Sequence, residues 1–242
     1  MIHAPIHTQR ALLTWQRPLR IEGRRDRHAV GELVNRADGE FSFRYFDEDH
    51  LSSAREAGFT GYPGLPMDTQ QFGTTAAREV LMRRLPPRGR ADFGHLAERF
   101  GLDATNLDQY SDLTLLATTG ARLTSDSFGV CETFEGFVRP FDYVFDVAGY
   151  RHERFSGRIP EVGEPVVFEP EPDNQWDPQA VQIRAVDGAS FGYVNRFQAN
   201  TVHEWLADGR IDGEVFRVNG RIEYPRLFVR ASILAPRMVQ VA

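Results

Sequence analysis

The stretch Glu169-Pro170-Glu171-Pro172-Asp173-Asn174-Gln175-Trp176-Asp177-Pro178-Gln179-Ala180-Val181, followed by Asp187-Gly188 and then Phe191-Gly192-Tyr193-Val194, decides how the second half of the chain reads. Three prolines bar a helix from this stretch, and the apolar residues on either side alternate as strands do, so it is a loop between two strands. Working outward, strand patterns recur at Tyr143 to Ala148, Pro165 to Glu169, Ala180 to Val186, Phe191 to Val194, Glu214 to Ile222 and Leu227 to Ile233. Only Ala199 to Asp208 has helical spacing. Short strands in series with one helix predict a small OB-like β-barrel.

The first half reads differently. Ala11 to Trp15, Ala29 to Val34 and Phe41 to Phe46 are strand patterns, with Asp38-Gly39 as a hairpin turn. Phe41, Phe43 and Tyr45 alternate with polar residues, which puts three aromatics on one face and that face in a core. Gly58 to Pro66 is a structured loop rich in Gly and Pro. Helical spacing follows at Thr74 to Leu85, stopped by Pro86-Pro87, at Asp92 to Phe100 with Gly101 as its stop, and at Ser111 to Thr118 between an N-capping Ser111 and Gly120. The fold class is therefore α+β: N-terminal strands and then short helices over residues 1–138, and the barrel over 139–242. The composition changes near Glu135 to Arg139.

A chain of 242 residues with 41% hydrophobic content can bury one large core or two small ones. Its longest apolar runs fall far short of the roughly 20 residues a membrane span needs. No membrane partner is expected. A lone Cys131 and an N-terminus without a signal-peptide pattern fit a reducing cytoplasm. All 28 basic side chains are arginine, which with abundant Ala, Gly and Asp points to a GC-rich bacterial coding sequence. The net charge of -6 argues against a chain that coats duplex DNA by neutralising phosphates over a broad basic face. A small pocket for one strand end remains open.

Within the Pro-bounded loop, an indole at Trp176 cannot be wholly core and a carboxylate at Asp177 cannot be wholly buried. An aromatic plate beside an acceptor suits a nucleotide end, the ring stacking on a base and the carboxylate accepting from a sugar hydroxyl. The alternatives are that Trp176 plugs the barrel and that Asp177 caps the turn.

The acidic-Pro-x-Asn-x-aromatic-Asp run, its turn and the Gly192-Tyr193-Val194 strand resemble the HIRAN family, as do Val147-Ala148-Gly149-Tyr150 and Ile159 to Pro165 with its Val162-Gly163 turn. About 100 residues share the pattern. The resemblance implies a module in which the 3'-terminal nucleotides of a single DNA strand enter a pocket formed by this loop, the first strand and a basic residue after the Gly-aromatic strand. Carried over, the DNA-binding residues are Arg151, His152, Asn174, Trp176, Asp177, Tyr193 and Arg196. His152 departs from the pattern, because an imidazole stands where a tyrosine stacks, and Arg196 replaces a lysine. Glu153, Glu169 and Glu171 would weaken phosphate binding.

Residues 11 to 125 resemble the N-terminal subdomain of HipA-type toxin kinases through Val30-Gly31-Glu32-Leu33, Phe41-Ser42-Phe43-Arg44-Tyr45, Leu65-Pro66 and Leu85-Pro86-Pro87. The kinase lobe of that family has no counterpart in this sequence. No catalytic residue, metal site or cofactor is expected, and the partners are single-stranded DNA or DNA ends, with a partner protein as the alternative. A further alternative is that Glu169, Glu171, Asp173 and Asp177 hold Mg²⁺ for a nuclease. His3 and His7, four apart in a Pro-containing terminus, have no third ligand. Arg24-Arg25-Asp26-Arg27 is a solvated turn or a nucleic-acid contact.

Overall fold

The alternation of Phe41, Phe43 and Tyr45 with Ser42 and Arg44 builds β3 (Phe41–Tyr45), with the three rings buried and Arg44 exposed. The computed structural model describes residues 6–17, 26–37, 39–69, 71–151, 159–207, 211–221 and 224–235. These fall into two compact units, 6–137 and 138 onward.

In the first unit, β1 (Arg10–Gln16) lies between β2 (Arg27–Asn35) and β5 (Phe128–Glu132), while β3 joins β2 to the short β4 (Gln71–Phe72). Every pairing is antiparallel. Gly31 is required where β2 passes β3, since a Cβ there would lie 2.5 Å from the Arg44 carbonyl oxygen and 2.6 Å from the Phe43 ring. Four helices follow the first three strands: α1 (Glu48–Glu56), α2 (Thr74–Leu81), α3 (Phe93–Glu98) and α4 (Asp112–Thr119). Ser111 caps α4 by accepting from the Thr114 N–H, and Gly120 ends it in the left-handed region at φ 73°. The α2 segment tightens into a 3-10 turn at Met82–Arg84 and stops before Pro86-Pro87.

Helix α1, strand β5 and the two-residue β4 escape the sequence reading. Helix α1 has a charged sequence with only Leu51 and Ala54 buried, and the Asp47 cap that accepts from the His50 N–H is its clearest local signal. Strand β5 returns to the sheet after the helices, beside β1, so its pairing depends on a partner more than a hundred residues earlier.

Arg84 and Glu132 are among the polar groups built into this core. The Arg84 guanidinium is almost wholly buried and uses all five N–H donors: Nε on the Ala121 carbonyl at 2.6 Å, Nη1 on the Tyr62 hydroxyl and Asp126 Oδ2, Nη2 on Asp126 Oδ1 and the Phe128 carbonyl. It thereby ties the Gly/Pro-rich loop and α2 to the start of β5. Glu132 is also buried; its carboxyl accepts from the Thr8 hydroxyl and, at 2.9 and 3.0 Å, from the Thr133 and Phe134 N–H groups. Burial outweighs those hydrogen bonds and pushes its pKa up to about 7.

The second unit is an antiparallel six-stranded sheet in the order β6-β11-β10-β7-β8-β9, made of β6 (Phe141–Asp146), β7 (Pro165–Pro170), β8 (Val181–Ala185), β9 (Ser190–Tyr193), β10 (Ile211–Arg221) and β11 (Tyr224–Ile233). The sheet curls until its edges meet: the Ala148 N–H donates to the Tyr193 carbonyl and the Tyr193 N–H to the Ala148 carbonyl, both at 2.8 Å. Gly192 makes that closure possible, at φ 122°, because a Cβ would press into the Ala148 carbonyl oxygen and lie 3.0 Å from a Val147 methyl. Phe145, Phe168, Ile183, Phe191 and Val229 are buried in this unit. Helix α5 (Ala199–Ala207) packs on it through Trp205, edge-on to Phe141 at 5.6 Å. The architecture is α+β with an OB-like C-terminal sheet, as its strand pattern predicts.

Candidate nucleic-acid interface

The loop between β7 and β8 is shaped by its own side chains. The Asn174 amide oxygen accepts from the N–H groups of Trp176 and Asp177 at 3.0 and 3.1 Å, and its Nδ2 donates to Glu171 Oε2 at 2.6 Å. One Asp177 oxygen, Oδ1, accepts from the Gln179 N–H at 3.0 Å. The base of the loop is closed by the Glu171 N–H on the Ala180 carbonyl at 2.9 Å. Asx turns of this kind replace the backbone ladder that three prolines interrupt.

The consequence is a fixed aromatic platform. Trp176 is 61% exposed, so it does not plug the sheet's interior. Asp177 does cap the turn, through Oδ1, but its second oxygen faces outward to Arg196, whose Nε lies 4.0 Å from Oδ2. At that distance the two are an ion pair without a hydrogen bond, and Arg196 is about half exposed. A carboxylate and a guanidinium side by side offer an acceptor for a hydroxyl and a donor fork for a phosphate.

Tyr193 stands at the closure of the sheet. Its backbone pairs with Ala148, its neighbour Val194 donates to the Val181 carbonyl at 2.9 Å, and its hydroxyl is 3.5 Å from Gln182 Nε2. The closure joins the loop's strands to the turn at Gly149 to Arg151, where Arg151 is exposed. Asn174, Trp176, Asp177 and Arg196 thus form one connected group, and Tyr193 ties their strands to the segment that carries Arg151. His152 lies outside the described residues.

The carboxylates proposed as metal ligands are dispersed among other tasks. Glu169 pairs with Arg184 at 2.5 Å, Glu171 holds Asn174 and Asp177 holds Gln179. Among the described residues no three His, Cys, Asp or Glu side chains stand together as a metal site, and no helix is long and apolar enough to cross a membrane.

Residues 141–235 match the HIRAN domain. Two solved structures resemble part of the chain: the HIRAN domain of human HLTF, 19% identical over 38% of this chain and 73% of that one, with a TM-score of 0.32, and a protein from Lactobacillus plantarum, 20% identical over 38% of this chain and 97% of that one, with a TM-score of 0.28. No curated protein matches the chain. The HIRAN domain is a DNA-binding module and not a catalytic one.

Sequence reasoning passes over two participants in the HIRAN loop, Glu171 as the anchor of Asn174 and His203, whose Nε2 is 3.1 Å from the Gln179 carbonyl. Glu171 was readable three residues ahead of Asn174. His203 was not, because 24 residues separate it from its partner.

Proposed function

We propose that this protein is a non-enzymatic adaptor that recognises single-stranded DNA ends, with the 3'-terminal nucleotide at the Trp176 platform. The observation that carries this reading is the exposed indole of Trp176 on an internally pinned loop, beside the Asp177–Arg196 pair. In this reading Trp176 stacks on the terminal base, Asp177 Oδ2 accepts from the free 3'-hydroxyl, and Arg196 and Arg151 take phosphate oxygens. Asn174 holds the loop, and Tyr193 lines the approach. Residues 1–138 form a HipA-N-like module fused to the DNA-end reader, in a protein of genome maintenance or phage defence.

Fluorescence anisotropy of the full chain against a labelled single strand with a free 3'-OH, the same strand 3'-phosphorylated, and a blunt duplex tests this at about physiological salt. A 3'-phosphate brings charge against Asp177, so the free hydroxyl is expected to bind at least tenfold more tightly. Equal affinity for the two single strands would remove Asp177 as the end reader.

The net charge of -6 favours a second reading, in which the HIRAN region contacts a partner protein and no longer binds DNA. Recovery of one partner from nuclease-treated lysate, with no retention of any of the three DNA probes, would establish it.

A further inference from the structure

The segment that begins at Arg196 and continues into α5 holds the recognition loop at two points. Arg196 faces Asp177 Oδ2 at 4.0 Å. Seven residues on, His203 Nε2 lies 3.1 Å from the backbone carbonyl of Gln179. The peptide units at Gln179 are therefore gripped on both sides, the N–H by the Asp177 carboxylate and the C=O by the His203 imidazole. A carbonyl oxygen only accepts, so Nε2 carries the hydrogen and the tautomer is set by the contact.

Helix α5 is a firm support for such a contact. Its Val202 and Trp205 are buried on either side of His203. Before the helix, the Asn195 carbonyl accepts from the Gln198 N–H at 2.7 Å and the Asn195 side chain from the Phe197 N–H at 3.2 Å, while buried Gln198 reaches the Tyr143 hydroxyl at 3.4 Å. The loop, by contrast, is pinned mainly by bonds within itself. A donor on α5 adds a tie between the Asp177 turn and the rest of the unit.

We infer that His203 is a positioning residue for DNA-end recognition: through the Gln179 carbonyl it sets where Asp177 and Trp176 stand relative to Arg196. This rests on the end-binding reading above, and the two can fail separately. Trp15 and Trp205 are buried, so acrylamide quenching of the full chain reports chiefly on Trp176, with Trp176→Phe giving the background.

The experiment compares wild type, His203→Ala and His203→Gln for Trp176 quenching without DNA and for affinity toward the labelled single strand with a free 3'-OH. Loss of one hydrogen bond predicts about a fivefold weaker affinity for His203→Ala, with a changed quenching constant at an unchanged melting temperature. Gln, whose Nε2 amide falls near the imidazole Nε2, restores both. Quenching and affinity that stay at wild-type values in His203→Ala overturn the inference, as does altered quenching with full affinity. If wild type itself binds no strand, the end-binding reading fails; the quenching arm then still decides whether His203 holds the loop.

Discussion

Ala148 and Tyr193 exchange two backbone hydrogen bonds of 2.8 Å, and that one bridge brings the two ends of the curled six-stranded sheet together. The closure sets the first-strand turn of the HIRAN region beside the strands that flank the recognition loop. Gly192 sits at this seam with φ 122°.

Replacing Gly192 with alanine puts a methyl group against the Ala148 carbonyl in a backbone region that L side chains avoid. The expected loss is about 2–3 kcal/mol of stability, read as a lower denaturant midpoint. An unchanged midpoint would mean that the edges do not need to meet.

Trp176→Ala separates function from folding. The exposed indole contributes little to packing, so stability should change by less than about 0.5 kcal/mol. Loss of a base-stacking platform should weaken single-strand binding by about 1–3 kcal/mol in an anisotropy titration. Adding Asp177→Ala should abolish binding, and wild-type affinity in the double variant would sink the pocket.

Arg84→Met removes the five donors that satisfy Ala121, Tyr62, Asp126 and Phe128. A partly buried carboxylate is left without its cation, at an expected cost of about 3–5 kcal/mol in thermal or denaturant unfolding. Burial alone raises the Asp126 carboxyl, but the Arg84 hydrogen bonds, the Phe128 N–H and the Arg84 charge together hold it below the usual carboxylate range. Its contribution is thus present at neutral pH and lost as pH falls through that lowered value. Arg84→Met should also remove this acid-side loss.

Glu132 acts in the opposite direction. The native state holds its proton up to about pH 7, whereas the unfolded carboxyl gives it up near 4.5. Between those values the unfolded state binds fewer protons, so stability falls as pH rises and levels off above about 7. Gln fits the same cavity, with its carbonyl accepting from Thr133 and Phe134 and its amide donating to Thr8. Glu132→Gln should therefore flatten the melting-temperature profile between pH 5 and 7 and raise stability at pH 8 on the order of 3 kcal/mol. A parallel shift of the whole profile would contradict this account.

The strands of the second unit were legible because their determinants are local: strand patterns at Tyr143 to Ala148, Ala180 to Val186 and Phe191 to Val194, and prolines that confine Glu171 to Pro178 to a loop. The helix α4 was legible from Ser111 and Gly120, since a cap is decided within one turn. Helix α1 was hidden by its charge and β5 by its distance from β1. At the site, the residue types at Asn174, Trp176 and Asp177 stood out in the sequence, and a turn cap at Asp177 was one of the readings, while the part played by Asn174 was not. Asn174 uses its amide oxygen inside the loop, and one oxygen of Asp177 is spent on Gln179.

Local pattern alone places a series of short strands, an OB-like sheet and an Asn-Trp-Asp loop in the second half of the chain, because period, proline and glycine act through neighbouring residues. Only the tertiary structure decided that Ala148 meets Tyr193, that Arg196 faces Asp177, that His203 reaches Gln179 and that Glu132 is buried. Each of these joins residues distant in the chain, and its geometry is set by sheet curvature and by burial in the folded core. No local pattern encodes those quantities.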